Sequence, residues 1–174
     1  MAVLDDADTY GERWADVYDD EHGFMDSAPV IALLAELANG QPTLELGIGT
    51  GRVALPLREL GVDIRGLDAS PSMVARLRLK RGGDVIEVAF GDMASADLGG
   101  PYGLIFVVFN TFFALLTQEL QIQCFRNVAA ALLPGGRFVT ECFVPDLTRF
   151  RDGDQTVTRR DPGRLSRSVE RIGA

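Results

Sequence analysis

Five short apolar segments alternate with helix-like segments along most of the chain, and this alternation constrains the fold more than any other feature. Each apolar segment is rich in β-branched or aromatic residues and is bounded by glycine, proline or acidic residues, as strands commonly are. The five segments span Thr43–Ile48, Val62–Leu67, Val85–Phe90, Leu104–Phe109 and Arg137–Phe143. Strands that are apolar on both faces and joined by crossover helices form a parallel sheet covered by helices on both sides. We therefore predict an α/β fold built on a doubly wound, mainly parallel sheet.

Four helices are predicted between the strands from residues that are typical of helix ends. They run from Ser27 and Ala28-Pro29 to Asn39-Gly40, from Arg52 to Leu60, from Ser70-Pro71 to Gly82-Gly83, and from Thr117 to about Leu133, before Pro134-Gly135-Gly136. Beyond residue 145 the chain is polar and arginine-rich, with weak alternation at Gln155–Thr158 and at Leu165–Ile172. Two strands of a hairpin and a flexible tail are both compatible with that pattern.

Charge and cysteine content exclude several classes of protein. Residues 1–27 carry a net charge of −8, residues 28–145 carry −2 and residues 146–174 carry +2, so the bulk of the chain offers no basic face of the kind that nucleic-acid binding needs, and the arginines after residue 145 are expected to be scattered on the surface. The longest uninterrupted apolar run, Leu104–Phe109, has the length of a strand, and we expect no membrane span. Two cysteines and a single histidine, His22, indicate neither a disulfide framework nor a metal site, which suits a reducing cytoplasm.

The segment Leu44–Arg52, LELGIGTGR, joins the first strand to the following helix. Its glycines allow a sharp turn and a close approach of a ligand to the backbone, while free N–H groups at the helix start face that ligand. Asp68 ends the second strand, where a carboxylate can accept both hydroxyls of a ribose. Asp92 and Met93 follow the third strand, where an acid with an apolar neighbour can bracket an adenine ring. Three successive strand ends thus predict a nucleoside-binding site.

Two kinds of nucleoside cofactor fit this loop. The segment Gly49–Ala54 matches the G-x-G-x-x-A form of the dinucleotide fingerprint, which would make the chain an NAD(P)-binding oxidoreductase. However, Glu45 precedes the first glycine, Gly47, by two residues. A carboxylate at that point repels a pyrophosphate and attracts an α-amino group and a sulfonium. The loop therefore favours a sulfonium cofactor, and the dinucleotide interpretation stays open as an alternative.

The run LELGIGTGR, followed by GLDAS, GDM, the aromatic strand that ends at Asn110, and LLPGGRFV, resembles the class I S-adenosylmethionine-dependent methyltransferases over about residues 10–145. The resemblance implies a Rossmann-like sheet with strand order 3-2-1-4-5, S-adenosylmethionine as cofactor and S-adenosylhomocysteine as product. It also implies that residues 1–27 form an acidic lid and residues 28–145 the cofactor-binding domain. The residues that would contact the cofactor are Tyr18, Glu45, Gly47, Gly49, Gly51, Asp68, Ala69, Asp92, Met93 and Asn110.

We expect methyl transfer to an oxygen or nitrogen of a small molecule. Displacement from a sulfonium depends mainly on holding the acceptor close to, and collinear with, the methyl–sulfur bond, so a dedicated base is optional. The catalytic residues stay unassigned. His22, Asn110 and Glu141 are the candidates for a base or for contact with the acceptor. The segment Phe109–Phe113 lacks the Asp/Asn-Pro-Pro-aromatic pattern of enzymes that methylate nucleic-acid bases.

The family's sheet normally has seven strands, whereas this sequence supplies five, followed by the polar residues 146–174. We therefore expect the C-terminal strands to be missing, or replaced by a polar tail or by the start of a truncated β insertion, as in a fragment or a shortened relative. A non-catalytic protein that only binds the cofactor is a second alternative. The fifth strand would be an unpaired edge, and we expect a homodimer formed through that edge or through the tail.

Overall fold

The computed structural model of the chain describes residue 11 and residues 14–22, 26–144, 156–159 and 167–170. The chain divides into two compact units, residues 1–142 and residues 143–174. A five-stranded sheet lies in the first unit, and a separate two-stranded sheet lies in the second.

The five strands of the main sheet run parallel in the order β3-β2-β1-β4-β5, which confirms the predicted fold class and strand order. The strands are β1 (Thr43–Leu46), β2 (Ile64–Asp68), β3 (Val88–Phe90), β4 (Tyr102–Val107) and β5 (Leu132–Thr140). The helices are α1 (Tyr18–His22), α2 (Ala28–Ala38), α3 (Ala54–Glu59), α4 (Pro71–Leu79) and α5 (Gln118–Ala131), with a 3-10 helix at Thr111–Ala114. Every residue of β1 and β4 is buried, as expected for central strands that are covered on both faces.

Side chains of β4 alternate between two apolar cores, one on each face of the sheet. Ile105 and Val107 belong to the core that α5 covers, whereas Leu104 and Phe106 belong to the core covered by α2, α3 and α4. Because side chains alternate with a period of two residues along a strand, one continuous apolar run fills both cores. The sheet is therefore doubly wound, and the carboxyl ends of its parallel strands all open at one edge.

The predicted helix ends lie close to the observed ones. The Ser70 hydroxyl caps α4 by accepting a hydrogen bond from the Met73 N–H at 3.3 Å. The Thr117 hydroxyl caps α5 by accepting one from the Leu120 N–H at 3.3 Å. Each cap joins residues within one helical turn, so both caps can be predicted from the sequence.

The predicted start of the last strand of the sheet, at Arg137, is wrong: β5 begins at Leu132, directly after α5. Leu132 pairs with Tyr102, and the register then shifts so that Arg137 pairs with Leu104. The Pro134-Gly135-Gly136 segment therefore forms an irregularity within β5 instead of separating it from the helix. A strand at the end of a sheet tolerates proline and a bulge because one of its edges needs no partner in that sheet.

The second unit contains β6 (Thr156–Arg159) and β7 (Arg167–Glu170), which pair antiparallel. Of the two interpretations of this region, the hairpin is the one observed. None of the helices in the described part of the chain is long and apolar enough to cross a membrane.

Leu57→Ala is expected to lower the free energy of unfolding by about 2–5 kcal/mol, because it leaves a cavity in the core. Leu57 in α3 is 0% exposed, whereas Leu60, just beyond the helix, is 63% exposed. Leu60→Ala is the matched control and should change the free energy by less than about 0.5 kcal/mol. Urea unfolding followed by circular dichroism measures both values, and equal losses would contradict the inward face assigned to α3.

Candidate active site

The glycine loop between β1 and α3 lies at the carboxyl edge of the sheet. The N–H groups of Gly47 and Ile48 both donate to the Leu67 carbonyl, at 2.7 and 3.1 Å, and so anchor the loop to β2. Gly47 has a φ of +72°, and a Cβ there would lie 2.4 Å from Cγ2 of Thr111. The loop therefore requires glycine at this position both for its backbone angle and for space.

Asp68, the last residue of β2, ties this loop to the next helix. Its Oδ2 accepts a hydrogen bond from the Gly49 N–H at 2.6 Å, and its Oδ1 accepts one from the Ser70 N–H at 2.8 Å. Burial raises the pKa of the Asp68 carboxyl, and the hydrogen bonds from the Ser70 and Gly49 backbone offset part of that rise. One side chain thus fixes the glycine loop relative to the start of α4.

Glu45 in β1 brings a second carboxyl group to the same place. Its side chain is buried, and its Oε2 is the only buried side-chain polar atom among the described residues that has no hydrogen-bond partner. Burial raises the pKa of Glu45 well above its usual value; the charge of Arg52 lowers it and that of Asp68 raises it further. A buried oxygen without a donor costs free energy until a ligand supplies one. This oxygen is therefore an acceptor available to an N–H or cationic group.

These groups line a single cavity of about 470 Å³ at the ends of β1 to β4. The predicted residues in its wall are Tyr18, Glu45, Gly47, Gly49, Asp68, Ala69, Asp92, Met93 and Asn110. Asp92 is exposed, and its Oδ1 accepts a hydrogen bond from the Ala94 N–H at 2.8 Å; Met93 beside it is buried. The structure thus brings together the three strand ends that predict a nucleoside site and Asn110, the predicted residue that follows β4.

Two predicted residues, Gly51 and Glu141, lie outside the cavity wall. Gly51 supports the loop from the core side, where a Cβ would lie 2.3 Å from Cδ1 of Leu77. Glu141 is exposed, and its carboxylate accepts a hydrogen bond from the Phe109 N–H at 3.0 Å. Glu141 therefore stabilises the turn after β4 and does not face the cavity. His22 is the last residue of α1, and its side chain lies outside the described part of the chain.

Arg52 lines the cavity but was not predicted to do so. Its guanidinium lies 4.5 Å from the centre of the Phe109 ring and donates a hydrogen bond to the Ser27 hydroxyl. Phe109 and Asn110 have φ values of +59° and +63°, so the chain turns sharply after β4. A left-handed phenylalanine is rare, and no sequence pattern predicts one. The turn brings the Phe109 ring beneath Arg52. From the sequence alone, Arg52 would be expected at the exposed start of a helix.

Comparison with known proteins identifies the family of the chain. Residues 43–136 match a family described as methyltransferase domain. The chain belongs to this family. Its strand order, its glycine loop and the acids at its strand ends are therefore those of a methyltransferase domain.

This methyltransferase domain is 29% identical over 152 residues to the dTDP-4-amino-2,3,4,6-tetradeoxy-D-glucose N,N-dimethyltransferase of Saccharopolyspora spinosa, covering 83% of this chain and 59% of that protein. It is 37% identical to the CcbJ methyltransferase of Streptomyces caelestis, with a TM-score of 0.76, over 91% of this chain and 67% of that one. CalS10 from Micromonospora echinaspora, an amino pentose methyltransferase with bound S-adenosylmethionine, shares the fold at 24% identity and a TM-score of 0.67, over 84% and 64% of the two chains. The chain thus spans less than two thirds of the curated relative.

Glu45→Gln is expected to stabilise the free domain at pH 8, because glutamine carries no negative charge that burial would penalise. A carboxyl whose pKa is raised by folding binds its proton more tightly in the folded state. Stability therefore falls as pH rises from below the usual glutamate pKa through the raised value. Glu45→Gln removes the contribution of Glu45 to this loss of stability and leaves the contribution of Asp68.

Denaturant unfolding at pH 5 and pH 8 measures this difference, and the exposed Glu36→Gln serves as the matched control. A Glu45→Gln domain that loses stability with pH as steeply as the wild type would contradict the role assigned to the buried carboxyl.

Proposed function

We propose that this domain binds S-adenosylmethionine and transfers its methyl group to an amine nitrogen of a small molecule. The observation that carries the proposal is the unpartnered Glu45 Oε2 at the base of the glycine loop. A carboxylate at that point attracts an ammonium and a sulfonium, and it repels the pyrophosphate of a dinucleotide. The family membership of the chain supports the same cofactor.

Each strand end offers groups that fit one part of this cofactor. Glu45 would accept hydrogen bonds from its α-ammonium, and Arg52 in the same wall would pair with its α-carboxylate. Asp68 Oδ1 accepts the Ser70 N–H and Oδ2 accepts the Gly49 N–H, and its carboxylate would also accept a ribose hydroxyl. Asp92 and Met93 would hold the edge and the face of the adenine. The further residues proposed to contact the cofactor are Tyr18, Gly47, Gly49, Ala69 and Asn110.

The bound cofactor supplies an electrophilic methyl group on a sulfonium. The task of the chain is to align the acceptor with the methyl–sulfur bond and to keep water away. Phe109, Leu115 and Leu116 provide an apolar wall on the β4 side of the cavity, and Asn110 and Thr111 add two hydrogen-bonding groups there. We assign to Asn110 the role of orienting the acceptor through its side-chain amide.

The β4 side of the cavity favours nitrogen over oxygen as the acceptor atom. The described lining residues on the β4 side are Val108, Phe109, Asn110, Thr111, Ala114, Leu115 and Leu116, none of which titrates near neutral pH. A neutral amine brings its own lone pair, whereas a hydroxyl group needs a base to become a good nucleophile. The relative from Saccharopolyspora spinosa acts on an amino sugar, by its name, which supports that class of acceptor here.

We also propose that two copies of the chain associate through an edge of the sheet or through the residues after 145. Strands β3 and β5 end the five-stranded sheet. An open strand edge offers backbone groups to a second chain. Light scattering at high protein concentration tests this association, and a monomer under those conditions would contradict it.

Calorimetric titration with S-adenosylhomocysteine tests the cofactor site. The wild-type domain is expected to bind in the micromolar range, and Asp68→Ala to weaken binding by about 10- to 100-fold, since it removes the ribose acceptor and a loop anchor. Asp63→Ala changes an exposed carboxylate just before the same strand and should leave the affinity unchanged.

Titration with NADH in parallel separates the two cofactor classes. NADH binding without S-adenosylhomocysteine binding would replace the proposal with a dinucleotide site. Cofactor binding with no methylation of amino sugars or other small amines would favour a binding protein without catalysis. Methylated amine detected by mass spectrometry is the expected result.

A further inference from the structure

Asp19 of the N-terminal segment, Thr50 of the glycine loop and Lys80 each contact the other two. Asp19 Oδ1 accepts a hydrogen bond from the Thr50 hydroxyl at 2.7 Å, and Asp19 Oδ2 lies 2.7 Å from Nζ of Lys80. Nζ of Lys80 also donates to the Thr50 carbonyl at 2.8 Å. Helix α1, the glycine loop and the end of α4 therefore meet at one ammonium group.

We propose that Lys80 is a positioning residue for the cofactor, which acts by holding Asp19 and Thr50 together at the rim of the cavity. Tyr18 directly precedes Asp19, and both Tyr18 and Thr50 line the cavity. The contact thus sets the position of two wall residues that come from different parts of the chain. The effect of this contact on the affinity for the cofactor rests on the proposed function, whereas the contact itself does not.

The three groups differ in how far they are shielded from solvent. Thr50 is 1% exposed, and the side chains of Lys80 and Asp19 are 31% and 43% exposed. Burial acts to raise the pKa of Asp19, but the hydrogen bonds from Lys80 and Thr50 outweigh it, so that the pKa lies below its usual value. Asp19 is therefore ionised at neutral pH, and partial burial reduces the screening that weakens exposed ion pairs.

The distribution of charge along the chain agrees with this arrangement. Residues 1–27 carry a net charge of −8. Arg76 lies in the last turn of α4, and Lys80 directly follows the end of that helix. Arg76 pairs with Asp16, three residues before Asp19. Among the described residues, the acidic segment thus contacts basic side chains near the end of α4 through Asp16 and Asp19, and the contact of Asp19 with Lys80 also includes Thr50 of the glycine loop.

A lysine at position 80 suits the contact with Asp19 and Thr50. Lys80 is the only lysine in the chain, and the other basic residues are arginines. A compact ammonium can donate to the Asp19 carboxylate and to the Thr50 carbonyl at the same time, whereas a guanidinium presents a rigid planar fork. Loss of the ammonium would remove a donor from both Asp19 and the Thr50 carbonyl, and would leave the Thr50 hydroxyl as the remaining link between the two residues.

The single lysine makes the contact measurable without any cofactor. Acetylation of Lys80 by an N-hydroxysuccinimide ester, followed by mass spectrometry of the peptide that contains it, reports how accessible the amine is. The rate should rise several-fold in Asp19→Asn, whereas Asp20→Asn, which removes a neighbouring exposed charge, should match the wild type. Equal rates in Asp19→Asn and wild type would overturn the contact.

The role toward the cofactor is tested by titrating S-adenosylhomocysteine into variants of the full chain. Lys80→Met and Asp19→Asn should each raise the Kd about tenfold, and the double variant should raise it no further because both changes remove one contact. Arg81→Met removes an adjacent exposed charge and should leave the Kd unchanged.

The outcomes separate the two proposals. A purely structural role would lower the melting temperature of Lys80→Met without changing its Kd, and that result would overturn the positioning role while the proposed function stands. A wild-type chain that does not bind S-adenosylhomocysteine would overturn the proposed function, and with it the role of Lys80 toward the cofactor, whatever the acetylation rates.

Discussion

The carboxylate of Asp68 joins two turns of backbone that belong to successive βα units. By accepting hydrogen bonds from the Gly49 N–H and the Ser70 N–H, it fixes the glycine loop against the start of α4. Without it, both N–H groups would lose their partner at a cost of about 1–3 kcal/mol each where they are buried. The other parts of the site are arranged around this loop, with Glu45 at its base and Thr111 packed against Gly47.

The cavity contains a second carboxyl group that works against the stability of the free domain. Glu45 lies in a fully buried central strand, close enough to Asp68 for their charges to repel, and Arg52 offsets only part of this cost. Sites of this kind are common where binding requires a group that folding does not favour. The raised pKa of Glu45 and its unpartnered oxygen have the same cause, which is the burial of its carboxyl group.

The fold and the first three strand ends of the site were predictable because they depend on local patterns. Apolar runs of strand length identify β1 to β4, and Ser70-Pro71 identifies the start of α4. The start of β5 was not predictable, since Pro134-Gly135-Gly136 has the composition of a turn. Only the pairing of Leu132 with Tyr102 keeps that segment within the sheet.

The sequence by itself determined the chemical groups of the site and their order along the chain: a glycine loop, a carboxylate before it, and acids at the next two strand ends. Turn chemistry and strand periodicity are local properties, so a single sequence contains them. Only the tertiary structure decided which groups share a wall. It placed Arg52 over Phe109, turned Glu141 toward the backbone, and brought Asp19 to Lys80. These contacts join residues far apart in the chain, and their distances depend on how helices pack on the sheet, which no local pattern encodes.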